Sequence, residues 1–161
     1  GMKVVAVDIE SRRVPIYLNV NWTTSDGKEV TNTSGYNIET KTNINEILPI
    51  CDYISLHVPK QSNGESVISK KEIQMMKPGV RIINTSRGGV VNELDLLNAL
   101  DNGHVAAAAL DVFENEPTPM KELLSHPNIL CTPHIGAATN EAQDRIGQEI
   151  VDIIVDKFGK Q

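Results

Sequence analysis

Asn84-Thr85-Ser86-Arg87-Gly88-Gly89, Asp111-Val112-Phe113-Glu114-Asn115-Glu116-Pro117 and Thr132-Pro133-His134-Ile135-Gly136 decide the reading of this chain. Each cluster follows a short apolar run of strand character, at residues 80–83, 105–110 and 129–130. An arginine, a glutamate and a histidine therefore stand just past the carboxyl ends of successive strands. That is the edge at which open α/β sheets bind ligands and carry chemistry. A guanidinium can grip a carboxylate bidentately, and an imidazole beside a carboxylate can pass a proton near neutral pH. Arg87, Glu116 and His134 are thus a candidate catalytic set.

Outward from these clusters, strand and helix signals alternate. Residues 2–7 and 53–58 are further compact apolar runs, read as buried parallel strands. Ser69 with Glu72 forms a capping box that opens a helix ending before Pro78-Gly79. Asn92 caps another, with Leu94, Leu97 and Leu100 on its apolar side and Asn102-Gly103 closing it. Asn43 with Glu46 reads as a capping box for a short helix through Ile50, shortened by Pro49. A final helix over 140–158 places Ala142, Ile146, Ile150, Ile153 and Ile154 on one face. The pattern is α/β: a Rossmann-like, mainly parallel sheet with helices on both faces, its strands carrying Asp8, His57, Arg87 and Asp111. Residues 13–39 break it. Val14, Ile16, Leu18, Val20 and Trp22 alternate with other residues, and Asp26-Gly27 is a hairpin signal, so this stretch reads as β-hairpin or extended structure.

A chain of 161 residues suffices for one domain with a sizeable core. Hydrophobic residues at 40% and charged residues at 22% are ordinary for a globular protein. A net charge of −6 without a basic cluster argues against a nucleic-acid partner. No apolar run approaches the roughly 20 residues of a membrane span, and no signal peptide opens the chain. Cys51 and Cys131 make no disulfide framework, and no second ligand pair turns Cys131 and His134 into a metal site. No metal is expected, no membrane, and a reducing cytoplasm is the simplest location.

The three clusters, with Asp52-Tyr53-Ile54-Ser55-Leu56-His57-Val58-Pro59 and Met76-Lys77-Pro78-Gly79, resemble the nucleotide-binding domain of the D-isomer-specific 2-hydroxyacid dehydrogenases. The resemblance covers residues 1–8 and about 43–158; over 13–39 the family places a helix and a short strand instead. Within the family, residues 132–143 are most similar to the branch that acts on 3-phosphoglycerate at the entry to serine synthesis. The resemblance implies an NAD-dependent oxidoreductase acting on a small 2-hydroxy or 2-keto acid. Arg87 would bind the substrate carboxylate and polarise its carbonyl, and His134 would be the acid/base. Glu116, which directly precedes Pro117, would orient the imidazole in preference to Glu114. Asp111 resembles the residue that contacts the nicotinamide carboxamide. Thr85, Ser86 and Gly136 belong to the same part of the cleft, while His57, Val58 and Pro59 line the adenine pocket. His104 and His126 read as surface residues.

Asp8 stands where a nucleotide-binding fold sets an acidic residue on the adenosine ribose hydroxyls, which favours NAD over NADP. The glycine turn that holds the pyrophosphate lies about 20 residues before such a residue, and only seven residues precede Asp8. Gly88-Gly89 follows a later strand and reads as a tight strand-to-helix turn. The chain is therefore expected to be an N-terminally truncated nucleotide-binding domain, with the substrate domain outside it. Two other readings stand beside this one: a glyoxylate or hydroxypyruvate reductase, and a non-catalytic dimer-forming module like the C-terminal-binding-protein corepressors. The apolar stripe of the final helix leads to the expectation of a homodimer or larger assembly. By itself the chain is expected to bind NAD weakly or not at all, for want of the helix-end amides that cradle pyrophosphate. Calorimetric titration with NAD checks this, and micromolar binding would mean that another segment supplies the phosphate site.

Overall fold

Capped helices alternating with apolar runs produce a parallel sheet with flanking helices in residues 50–161, one of two units into which the chain divides; the other is 1–49. The computed structural model describes residues 3–159, so Gly1 and Met2, the latter the expected start of the first strand, lie outside the described residues.

In the first unit, β1 (Arg13–Thr23) and β2 (Glu29–Glu39) form an antiparallel hairpin in register from Arg13 opposite Glu39 to Thr23 opposite Glu29. Gly27 takes φ +82° in the connecting loop, where Thr24 N–H donates to the Lys28 carbonyl at 2.9 Å. Thr40 is buried and pins the base of the hairpin. Its hydroxyl accepts from Arg12 N at 2.7 Å and donates to the Glu10 carbonyl at 2.8 Å. The segment carrying Asp8 makes one parallel bridge, Val7 to Lys41, with Asp8 N donating to the Lys41 carbonyl and Lys41 N to that of Ala6. The expectation that it is a strand of the main sheet is corrected: its ladder is with the chain leaving the hairpin. Residues 43–50 form two short 3₁₀ turns, Ile44–Glu46 and Leu48–Ile50, rather than an α-helix. Asn43 meets Glu46 side chain to side chain at 3.2 Å, which leaves no reciprocal capping box, and Pro49 lacks the N–H that a continuing helix needs.

In the second unit β3 (Tyr53–Leu56), β4 (Val80–Asn84), β5 (Val105–Leu110) and β6 (Ile129–Cys131) lie in that spatial order, all parallel. Parallel neighbours require a crossover, and α1 (Lys70–Met75), α2 (Glu93–Asp101) and α3 (Lys121–Ser125) supply one each. The sequence carries no clear signal for α3, which is five residues long and held by buried Leu123. α4 (Asn140–Phe158) follows the last strand. The Ser69 capping box is present: Ser69 N and Oγ both donate to Glu72 Oε2, at 3.0 and 2.5 Å. Asn92 Oδ1 caps α2 by accepting from Asp95 N at 2.9 Å. The buried side of α2 is Leu96, Ala99 and Leu100; Leu94 is exposed, which corrects the expected face. The reason is angular. A three-residue step from Leu94 drifts around the helix, and contact with β5 selects the stripe that faces it.

Ile82, Val80, Val105, Leu110, Ile68, Val90 and Leu96 close the core of this unit. Ile68 and Val91 add a parallel bridge that ties the starts of α1 and α2 together. Because all four strands point one way, their carboxyl ends share one edge, and residues 84–88, 111–116 and 132–136 all leave from it. Two of these loops touch at Gly88. A Cβ there would lie 1.8 Å from the Phe113 carbonyl oxygen, against rigid backbone. Gly88→Ala is therefore expected to destabilise the fold by about 1–3 kcal/mol or more. It should appear as a lower urea midpoint with an unchanged slope.

Candidate active site

β4 ends in Asn84, a buried amide that shapes the turn beyond it. Its Oδ1 accepts from Ser86 N at 3.1 Å and Ser86 Oγ at 2.8 Å, and its Nδ2 donates to the Arg87 carbonyl at 3.0 Å. The asparagine thus closes a side-chain turn of the kind these residues favour, and Arg87 is delivered to the sheet edge. The guanidinium donates to the Ser86 carbonyl at 2.7 Å and forms no ion pair with a carboxylate among the described residues. Its remaining donors are free to meet an anion. Sequence reasoning named Asn84 as part of a motif and missed its role, although an Asn two residues before a Ser at a strand end is an Asx-turn signal.

Asp111, at the end of β5, is buried with both carboxylate oxygens engaged. Oδ1 accepts from Thr132 Oγ1 at 2.5 Å and Ile135 N at 2.9 Å; Oδ2 accepts from Gly136 N at 2.9 Å. All three donors belong to the loop that carries His134. Burial pushes the Asp111 carboxyl up, but the Thr132 hydroxyl, the two amides and the nearby His134 together outweigh it and hold it below its ordinary value. His134 itself has φ +55°, a left-handed conformation uncommon outside glycine. The hydrogen bonds to the residues on its C-terminal side hold it there.

The product of this arrangement is a dyad. His134 Nδ1 lies 2.7 Å from Glu116 Oε2, while Glu116 Oε1 accepts from Phe113 N at 2.9 Å. A carboxylate only accepts, so Nδ1 carries the hydrogen and Nε2 is left to exchange a proton with another molecule. The bond from His134, and then the Phe113 N–H, hold the Glu116 carboxyl below the ordinary range. Both side chains are partly open to solvent, 46% for His134 and 35% for Glu116. Glu114 turns elsewhere, toward Glu93.

Beside the dyad's edge, His57, Val58, Pro59, Thr85, Ser86 and Arg87 line one cleft of about 370 Å³. β3 stops at Leu56, so the first three sit in the loop after it, with His57 Nε2 2.8 Å from Ser55 Oγ. Gly136 stands apart from this lining, packed on Asp111, where a Cβ would come within 3.1 Å of Oδ2. Asp8 belongs to the first unit; its carboxylate accepts from Ile9 N and lies 3.6 Å from Arg12 Nε. The reading of His104 and His126 as surface residues is corrected. His104 Nε2 is bonded to the Ile73 carbonyl at 2.8 Å, and the His126 side chain is only 10% exposed, paired with Asp101 at 3.4 Å. Both serve as pins between elements. Among the described residues no group of His, Cys, Asp and Glu side chains is arranged to hold a metal ion.

Residues 1–136 match the family model of the D-isomer specific 2-hydroxyacid dehydrogenase, NAD binding domain. The D-3-phosphoglycerate dehydrogenase of Bacillus subtilis (strain 168) is 44% identical over 115 residues, 71% of this chain and 22% of that protein. The human D-3-phosphoglycerate dehydrogenase is 43% identical over 113 residues, 70% and 21% of the two chains. The chain thus spans about a fifth of the length of these curated relatives. Among solved structures, a glyoxylate reductase from Paecilomyes thermophila superposes with a TM-score of 0.66 at 36% identity, over 72% of this chain and 36% of that one. The holo form of Rhodotorula graminis D-mandelate dehydrogenase gives 0.68 at 32%, over 73% and 34%.

Asp111→Asn is expected to loosen the His134 loop, because an amide NH₂ would face donors in place of one oxygen. A buried mismatch of this kind costs about 1–3 kcal/mol, measurable by urea unfolding. Asp111 and Glu116 both have depressed folded-state pKa values, so their stabilisation is full above the unfolded carboxylate value of about 4 and is lost as pH falls through the folded values. The Asp111→Asn variant should show a smaller acid-dependent loss of stability than the parent.

Proposed function

Because the chain belongs to the D-isomer specific 2-hydroxyacid dehydrogenase family, through its NAD-binding domain, we propose that it is the nucleotide-binding part of an NAD-dependent oxidoreductase. Its substrate pair in this reading is 3-phosphoglycerate and 3-phosphohydroxypyruvate, the step that opens serine synthesis. The observation that carries the reading is the His134–Glu116 bond, which leaves Nε2 as the proton-exchanging atom. The identity to D-3-phosphoglycerate dehydrogenases supports the choice of substrate.

The residues present suit the dinucleotide. Val58 and Pro59 offer apolar surface to a flat base, and Thr85 and Ser86 bring hydroxyls to the same cleft. Asp111 Oδ2 accepts a single bond and keeps capacity for one more donor, such as a carboxamide N–H. NAD, when bound, accepts or supplies the hydride at the substrate's second carbon.

The chain's own groups handle the rest. Arg87 grips the substrate carboxylate and draws electron density from the adjacent carbonyl. In the direction of reduction, the Nε2–H of His134 gives its proton to the carbonyl oxygen as negative charge develops there. Glu116, bonded to Nδ1, keeps the ring oriented before and after the transfer. In the direction of oxidation, neutral Nε2 takes the hydroxyl proton.

A second reading, a glyoxylate or hydroxypyruvate reductase, draws on the likeness to the Paecilomyes thermophila enzyme. Assembly through α4 is part of the same proposal, since Ile146, Ile150, Ile153 and Ile154 are all about half exposed on it. A cytoplasmic location is inferred from the two free cysteines, and among the described residues no helix is long and apolar enough to cross a membrane.

NADH oxidation by the protein that carries this chain, assayed with 3-phosphohydroxypyruvate, hydroxypyruvate and glyoxylate in parallel, separates the readings through kcat/KM. His134→Ala is expected to lower kcat by about 10²–10⁴-fold, and Arg87→Lys to raise KM for every keto acid. Undiminished turnover in His134→Ala would remove the acid/base assignment, and a preference for glyoxylate would favour the second reading.

A further inference from the structure

Glu93 opens α2 and is buried, only 4% exposed. Its Oε1 accepts the Glu114 N–H at 2.6 Å, and its own N–H donates to Glu114 Oε1 at 3.3 Å. These bonds make a reciprocal bridge between residues 21 apart in the chain. The other oxygen, Oε2, is fully buried with no hydrogen-bond partner among the described residues. An unpartnered buried oxygen is costly. A glutamate pointing into solvent at the same helix start would gain the favourable dipole contact without that cost. The bridge must therefore be read for what it holds.

It holds the segment of the dyad. Glu114 follows Phe113, whose N–H is bound by Glu116 Oε1 at 2.9 Å, and lies two residues before Glu116. The Phe113 carbonyl is also packed against Gly88, the residue after Arg87. The loop leaving β5 is thus held at two neighbouring points on the chain that leaves β4, by contact at Gly88 and by hydrogen bonds at Glu93. From this backbone Glu116 reaches His134.

We propose that Glu93 is a positioning residue for the Glu116–His134 pair: its buried carboxyl, bridged to Glu114, sets the backbone from which Glu116 meets the imidazole. This rests on the dyad reading above and deepens it. Burial raises the Glu93 carboxyl above its usual range, the Glu114 N–H opposes that, and the Glu114 and Glu116 carboxylates add to it. Glu93 and Glu116 are thus shifted in opposite directions, the one up by burial and the other down by its hydrogen bonds. Two glutamates with different tasks result: Glu93 as the buried anchor of the loop and Glu116 as the partner of His134.

The test follows the Glu116 carboxyl by carbon NMR across pH in protein labelled at glutamate, with circular dichroism as the check on folding. The parent should show Glu116 titrating below the ordinary carboxylate range. Glu93→Gln retains an acceptor for the Glu114 N–H and should preserve that depression. Glu93→Asp withdraws the carboxyl by about 1.5 Å, and Glu93→Leu fills the space without an acceptor. In whichever of these two is folded, the Glu116 midpoint should rise to the ordinary range. A folded Asp or Leu variant with Glu116 still depressed overturns the proposal, as does a folded Gln variant that has lost the depression. A parent protein with an ordinary Glu116 titration would instead sink the dyad reading itself.

Discussion

A carboxylate buried at the end of a strand is tolerated only where donors surround it, and at Asp111 those donors build the site. The Thr132 hydroxyl and the Ile135 and Gly136 amides all turn inward to one side chain on β5. The loop after β6 is thereby bent around Asp111, and His134 is carried at its tip in a left-handed conformation. Without that charge the loop has no common point of attachment, because Ile135 and His134 themselves are not buried. Electrostatics and backbone geometry are here one constraint: satisfying Asp111 places the imidazole.

The sheet makes the constraint useful. Parallel pairing of β4, β5 and β6 in adjacent positions brings three loops out of one edge, and adjacent strands lie only about 5 Å apart. Close approach is then limited by side-chain bulk, which explains two glycines. Gly88 leaves room for the Phe113 carbonyl, and Gly136 leaves room for the Asp111 carboxylate. The loops are consequently braced against one another before any ligand arrives. Such bracing suits proton transfer, where the donor's position must be held closely.

Acidic residues on this edge differ in environment more than in chemistry. Asp111 is buried yet held as an anion by three donors, Glu116 is half open and held as an anion by His134, and Glu93 is buried with one donor and shifted the other way. Donor count against burial decides the sign in each case. A Glu116–His134 pair open to solvent, behind which the buried Glu93 anchors the loop, is the arrangement these environments produce.

Sequence alone determined what depends on neighbours along the chain. The capping residues Ser69 and Asn92, the apolar runs of β4 and β5, and the position of Arg87, Glu116 and His134 just past strand ends are all local patterns, written within a few residues of where they act. Tertiary structure decided the rest. Leu94 reads as part of the buried side of α2 until packing leaves it exposed and buries Leu96. His126 reads as a surface residue until Asp101 comes to face it. Asp111 reads as a cofactor ligand, and its engagement with Thr132, Ile135 and Gly136, 21 to 25 residues away, follows only from the pairing of β5 with β6. Glu93 carries no signal for its task, since the N–H it serves is brought to it by the fold. The division has a physical cause: conformational preference is set by adjacent residues, whereas the partner of a buried polar group is whatever backbone the packed chain carries past it.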